Sequence, residues 1–166
     1  MEDLPFPDDS FDAVTGINAF QFAGDITVAL AEAGRVCRPG GNVLMLVWGR
    51  PEDCAVVSVV RAALGRHLPP PATQAPQLFS PGVIESLMDR AGLRPSGAGD
   101  FGATLHYAST DVAVRAFCAA GVAIRIERQI GTEPVRAAIT AALLPFTDRD
   151  GGVVLPNRFH WVRATA

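Results

Sequence analysis

The residues of this chain whose types could do chemistry are few and scattered. Three histidines, His67, His106 and His160, and three cysteines, Cys37, Cys54 and Cys118, stand among 166 residues. Histidine is the side chain whose proton equilibrium lies nearest neutrality, and His106 and His160 are the candidate general bases. The histidines are too far apart in sequence for a local metal motif, and neither H-E-x-x-H nor a G-x-S-x-G nucleophile turn occurs. An odd number of cysteines without C-x-x-C spacing reads as reduced thiols in a cytoplasmic protein. Gly97-Ala98-Gly99-Asp100-Phe101-Gly102 matches the phosphate-cradling G-x-G-x-x-G letter for letter. That chemistry needs a strand before the run and a helix directly after it. Here a predicted helix ends at Gly92 and residues 103–107 read as extended, so a glycine-rich connection or a bulged strand is expected instead.

The elements that must position these residues follow from periodicity and punctuation. Residues 11–16 read as a short buried strand ending at Gly16. Asp25 is a good N-cap for a helix over 26–38, with Ile26, Leu30, Ala33, Val36 and Cys37 on one face. Arg35 and Arg38 suit the negative end of that helix, and Pro39-Gly40-Gly41 stops it. The run from Val43 to Trp48 is continuously apolar, as a parallel strand covered on both faces is. Strand, helix and strand at this spacing make a right-handed βαβ unit. A second helix is expected over 52–68, a proline-rich loop over 68–77, and a third helix opened by Ser80 as N-cap and Pro81 at its first position. Val83, Ile84, Leu87, Met88 and Ala91 form its buried stripe. Beyond Gly92 the expectations are an irregular strand within 93–107, helices at 110–120 and 132–145, helix or loop over 121–130, and a terminal strand pair, or one strand broken at Pro156-Asn157.

Composition narrows the classes. Hydrophobic residues make up 49% of the chain, which excludes a disordered polypeptide, and the length is sufficient for one domain with a core. A net charge of −3 leaves no broad basic surface for nucleic acid. The longest apolar runs fall far short of a membrane span, and the acidic N-terminus has no signal-peptide character. The expectation is a cytoplasmic protein with no nucleic-acid or membrane partner.

Two segments in the first fifty residues carry a family resemblance. Leu4-Pro5-Phe6-Pro7-Asp8-Asp9-Ser10-Phe11-Asp12, followed after one helix by Arg35-Val36-Cys37-Arg38-Pro39-Gly40-Gly41, resembles the second half of a class I S-adenosylmethionine-dependent methyltransferase domain. The resemblance is strongest over residues 1–50 and extends to residue 94. It implies an α/β, Rossmann-like methyltransferase fold, truncated, with a mixed sheet of strands four to seven and flanking helices. In that family a strand and a glycine-rich loop come earlier and hold the cofactor; here the chain starts after the position they would occupy.

What the resemblance implies for individual residues can be stated by position. In relatives, residues just before L-P-F line the adenine ring. The usual carboxylate there would fall one residue before Met1, which leaves Met1 and Glu2 in the adjoining positions. The turn after strand four passes the methionine end of S-adenosylmethionine, and here it is Gly16-Ile17-Asn18. Asn18, Phe20, Gln21 and Phe22 then stand where a methyl acceptor would lie, either as a wall of two amides and two aromatics or with the aromatics plugging the core. Trp48 and Arg50, at the end of strand five, complete the acceptor side. Methyl transfer is an in-line displacement helped by a dry, positioned site, and a base is needed only for weakly acidic acceptors.

The resemblance therefore implies a methyltransferase of small molecules in truncated form. Its division is an α/β core at 1–104, an acceptor-side helical cap at 105–150 and a terminal strand at 151–166. Two other readings stay open. One is a non-catalytic remnant or interaction module that has lost cofactor binding. The other is a half-domain completed by a partner chain. Without strand one, the strand over 13–16 is a bare edge, and a homodimer burying Phe11 and Val14 is expected.

Overall fold

The computed structural model describes residues 1–68 and 76–166. The residues form one four-stranded sheet, β1 (Phe11–Ile17), β2 (Cys37–Trp48), β3 (Arg94–Tyr107) and β4 (Val153–Thr165), in the order β1-β2-β4-β3. β1 and β2 are parallel, and β2 and β4 are antiparallel. This is the mixed arrangement expected for strands four to seven of the methyltransferase sheet. By internal contacts the chain divides into two compact units, Met1–Arg50 with Gln74–Phe101 and Arg158–Ala166, and Pro51–Thr73 with Gly102–Asn157. That division differs from the expected one at 104 and 150, because the helix after Pro51 clusters with the later helices.

In the first unit, α1 (Ile26–Val36) begins at Asp25, whose carboxylate accepts from the backbone N–H of Thr27 and Val28 at 2.8 and 3.3 Å. Its Ala29, Leu30, Ala33 and Val36 are buried, as the 3.6-residue spacing requires. β2 starts six residues earlier than its apolar run, because Cys37 pairs with Phe11 before the chain makes an excursion and re-enters the ladder at Asn42, opposite Ala13. Glycine makes that excursion possible. Gly40 sits at φ +77°, and a Cβ on Gly41 would lie 2.6 Å from Cys37 Sγ and 2.8 Å from the Asp12 carbonyl oxygen. Val43, Met45 and Val47 then alternate into a core completed by Val162 and Ala164 of β4, by α1, and by Ile84, Leu87 and Met88 of α3 (Val83–Arg90). About 25 cal/mol per Å² of buried apolar surface makes this packing the main stabilising term of the unit.

Ser80 and Pro81 do not open α3. Gly82 precedes it at φ +80°, a left-handed conformation that cannot belong to the helix, and Ser80 accepts the N–H of Val83 in a turn. The expected irregular strand after Gly92 is instead the 14-residue β3. A Cβ on Gly99 would approach the Trp161 indole to 3.2 Å, so this member of the glycine run makes room for a ring on the next strand, while one on Gly97 would meet the same ring at an ordinary 3.7 Å. Pro69, Pro70 and Pro71 of the expected loop lie outside the described residues; Pro76 and Gln77 belong to no helix or strand.

The second unit is helical. α2 (Ala55–Leu64) occupies the middle of the expected 52–68 helix, flanked by single 3-10 turns. α4 (Thr110–Cys118) is capped by Ser109, α5 (Gly121–Ile130) resolves the open choice in favour of helix, and α6 (Thr132–Leu143) follows Gly131 at φ +90°. Val59, Leu64, Val114, Ile126, Ile139 and Leu143 form its centre, with Val153 and Leu155 of β4. β4 does not break at Pro156-Asn157. Asn157 is 5% exposed; its Nδ2 donates to the Leu155 carbonyl at 2.7 Å, and its Oδ1 accepts from Val56 N–H at 3.0 Å. One amide thus keeps the strand satisfied and caps the first turn of α2, whose own N-cap, Cys54, supplies no side-chain bond.

One substitution reads the packing of the first unit directly. A Cβ on Gly16 would stand 2.1 Å from Phe20 Cε2, whereas one on Gly102 meets nothing nearer than 3.8 Å. Gly16→Ala is expected to lower stability by about 1–3 kcal/mol through overpacking, with Gly102→Ala nearly neutral, in denaturant melts.

Candidate functional site

The two halves of the N-terminal motif are one interlocking unit. Arg35, on the last turn of α1, grips Glu32 in a two-pronged pair, Nε to Oε2 at 2.8 Å and Nη2 to Oε1 at 2.6 Å. The same guanidinium donates to the carbonyls of Leu4 and Phe6 at 3.3 and 2.9 Å and to the Asp8 carboxylate. Glu32 returns the contact by accepting Leu4 N–H at 2.8 Å, and Arg38 pairs with Asp12. Phe6 packs edge-on against Phe11 of β1, with ring centroids 5.0 Å apart. Dipole placement alone therefore understates Arg35 and Arg38, which clamp the segment ahead of β1. Arg35 holds the Glu32 carboxyl down at about 2, with the Leu4 N–H bond adding to the effect. Met1 is half exposed, while Glu2 Oε1 accepts the N–H groups of Gly24 and Asp25 at 2.6 and 3.1 Å.

At the carboxyl ends of the parallel strands the chain turns sharply. Asn18 N–H donates to Leu46 carbonyl at 2.8 Å, and Asn18 itself sits at φ +49°, a conformation that asparagine tolerates better than most residues. Its Oδ1 is buried without a hydrogen-bond partner. The four aromatic and amide residues separate in role. Phe20 is 6% exposed and lies in the core over Gly16, whereas Phe22 is 75% exposed. Gln21 is half-buried and lines, with Asp25, Leu87 and Arg90, an open groove of about 610 Å³ at the amino end of α1. Ile17 is 64% exposed beside Asn18.

Trp48 stacks on Phe159 at 4.6 Å, and Phe159 on Phe101 at 5.4 Å, so one face of the indole is already covered. Arg50 is exposed. His106 is exposed on β3, in the second unit. His160 is buried in β4 opposite Val47, and its Nδ1 lies 2.8 Å from Asp100 Oδ1. Sequence reasoning missed Asp100, although it sits inside the glycine run. It also missed the multiple roles of Glu32 and Asn157, for which no local pattern gives a signal. Among the described residues there is no cluster of metal-ligating side chains, and no helix is long and apolar enough to cross a membrane.

Comparison with known proteins agrees with this geometry. Residues 1–45, which span the clamp and the turn at Asn18, match the methyltransferase domain family. The chain is 41% identical over 69 residues to a demethylmenaquinone methyltransferase of Streptomyces avermitilis, covering 42% of this chain and 30% of that protein. It is 34% identical over 87 residues to an uncharacterized protein of Mycobacterium tuberculosis, covering 49% and 31%. The chain thus matches about a third of the length of these relatives. Among solved structures, YcgJ of Bacillus subtilis superposes with a TM-score of 0.54 at 20% identity, over 99% of this chain and 67% of that one. The [4+2]-cyclase SpnF superposes with a TM-score of 0.51 at 17% identity, over 99% and 53%. Over its first 45 residues the chain is similar to the methyltransferase domain family, and its neighbours among solved structures share its fold. Its fold is the mixed-sheet, Rossmann-like fold of that family; a neighbour that carries the name of a cyclase is a reminder that the fold alone does not specify the reaction.

The clamp makes a pH signature. Glu32 is held at about 2, below its ordinary 4.5. A depressed carboxyl stabilises the fold above the ordinary value, and that contribution is lost as pH falls through the depressed one. Melting temperature is expected to fall between pH 4.5 and 2, and Glu32→Gln is expected to melt lower at neutral pH with a shallower acid slope. Equal acid slopes for the two proteins would contradict the clamp.

Proposed function

We propose that this chain is the acceptor-side part of a methyltransferase that uses S-adenosylmethionine and acts on a small molecule. The observation that carries this reading is the turn at Asn18: a left-handed residue at the carboxyl end of a parallel strand, with a buried carbonyl oxygen that none of the described residues satisfies. An unpaired buried acceptor costs about 1–3 kcal/mol and persists where a ligand donor fills it. The donor set of S-adenosylmethionine, an ammonium and two ribose hydroxyls, fits such an oxygen. When bound, the cofactor supplies a methyl group activated on a sulfonium. Gly16, Ile17 and Asn18 would hold its methionine end and Met1 its adenine side. Glu2 contributes through the backbone it fastens, because its carboxylate already accepts from Gly24 and Asp25. Gln21 orients the methyl acceptor, and Phe22, Ile17 and the edge of Trp48 keep water from it, with Arg50 at the rim. Phe20 supports this wall from within the core.

A polypeptide carrying this chain together with a cofactor-holding part tests the assignment. Asn18→Ala and Gln21→Ala are expected to lower methyl-transfer turnover about tenfold or more, which is about 1.4 kcal/mol of barrier. Gln21→Ala leaves cofactor affinity unchanged, and the chain by itself binds S-adenosylmethionine more weakly than micromolar in calorimetry. Unchanged turnover in both variants would return this loop to a purely structural role.

In the isolated chain the free edge of β1 is a second element of the proposal. β1 pairs only with β2, and its Phe11 and Ile17 are 38% and 64% exposed. A second copy closing that edge would bury them. Light scattering over a concentration series is expected to show a dimer; a monomer at every concentration would remove the homodimer from this account.

A further inference from the structure

We propose that Asp100 and His160 form a proton-accepting pair that serves the site at the carboxyl ends of β1 and β2, so that the methyl acceptor is a molecule whose reacting atom carries an acidic hydrogen, of the phenol or enol type. The inference rests on the methyltransferase reading above and names the acceptor chemistry of that same site.

Four observations converge. First, Asp100 Oδ1 lies 2.8 Å from His160 Nδ1. A carboxylate accepts and cannot donate, so in the neutral ring the proton sits on Nδ1 and Nε2 is left with a free lone pair. Second, His160 is 8% exposed and its Nε2 is buried with no hydrogen-bond partner among the described residues. A basic nitrogen, held by one bond and left unpaired at the other, is what a base awaiting a ligand proton requires.

Third, the pair stands in the same row of the sheet as the turn. His160 pairs with Val47, and Asn18 bonds the carbonyl of Leu46, the residue before it. Two strand spacings of about 4.8 Å separate His160 from Asn18, on the order of 10 Å, the span of a single-ring acceptor. His160 alternates along β4 with Val162 and Ala164, which lie in the core with α1 and Phe20. Fourth, Asp100 has a second side open. Its side chain is 48% exposed against 10% for His160, so the carboxylate that holds Nδ1 is itself in contact with water.

The step balances within these groups. The X–H bond of the methyl acceptor breaks, its proton joins the Nε2 lone pair, and its electron pair stays on X as the nucleophile. Nδ1–H remains with Asp100, whose charge offsets the imidazolium. His160 acts on the acceptor itself; Asp100 is a positioning residue.

Two measurements on the isolated chain test the pair without cofactor. In ¹⁵N-histidine NMR, the neutral ring of His160 is expected with hydrogen on Nδ1 and a bare Nε2, and Asp100→Asn is expected to lose that preference. With 4-nitrophenol as the acidic-hydroxyl probe, the bound probe is expected to show its phenolate band at a pH about one unit lower than in solution, a 1.36 kcal/mol preference. His160→Gln is expected to abolish that shift with its melting curve retained, and His160→Phe serves if the Gln variant does not fold. A ring protonated on Nε2, an equal phenolate shift in the variant, or no saturable probe binding at millimolar concentration would each overturn the proposal. Because neither readout uses S-adenosylmethionine, failure of the cofactor to bind the polypeptide that carries this chain together with a cofactor-holding part would count against the methyltransferase reading alone.

Discussion

The first unit depends on one guanidinium. Arg35 sits where α1 gives way to β2, and it is bonded to the segment that leads into β1. Its five N–H donors reach two carboxylates and two backbone carbonyls, which no lysine could reproduce from one position. The Leu4–Asp8 segment makes no ladder, so its carbonyls need donors from elsewhere, and the clamp supplies them. Through it the entry to β1, the end of α1 and the excursion in β2 are held in one arrangement. The register of β1 against β2, and so the position of Asn18 beside Leu46, follows from that arrangement.

The glycines complete the constraint from the other side. Gly41 admits the Asp12 carbonyl where any side chain would clash, which lets β2 pair before and after its excursion. Gly16 admits the ring of Phe20, three residues beyond the strand, which closes over the core and leaves Phe22 outside. Among the described residues three buried side-chain atoms have no partner: Asn18 Oδ1 and His160 Nε2, which flank the same row, and Glu85 Oε2 on α3. Natural proteins break local rules at sites that bind or react, and the two at one end of the sheet are where a ligand is proposed.

Much of this was legible in the residues. The Asp25 cap, the apolar stripe of α1 and the Val43–Trp48 run each follow from local chemistry, because caps and periodicity act within a few residues of themselves. The paired motifs around Leu4 and Arg38 carried the resemblance to the methyltransferase domain, and the order of the sheet agrees with it. Ser80 and Pro81 misled for the same reason: they have the types of a helix start, but the next residue is a glycine that adopts a left-handed conformation and postpones the helix.

What only the tertiary structure decided lies in contacts between residues far apart in the chain. Asp100 and His160 are 60 positions apart, Asn157 and Val56 are 101 apart, and no local pattern links either pair. The glycine run looked like a phosphate loop because its letters are those of one; packing gave Gly97 and Gly99 to the Trp161 ring and Asp100 to a histidine. The sequence by itself determined most of the segments that become strands and helices and which family its first 45 residues resemble, since those depend on local propensity and short-range pattern. Which nitrogen stays free, which aromatic is buried and which amide bridges two elements depended on the third dimension, because burial and partner choice are set by neighbours that the order of residues does not place side by side.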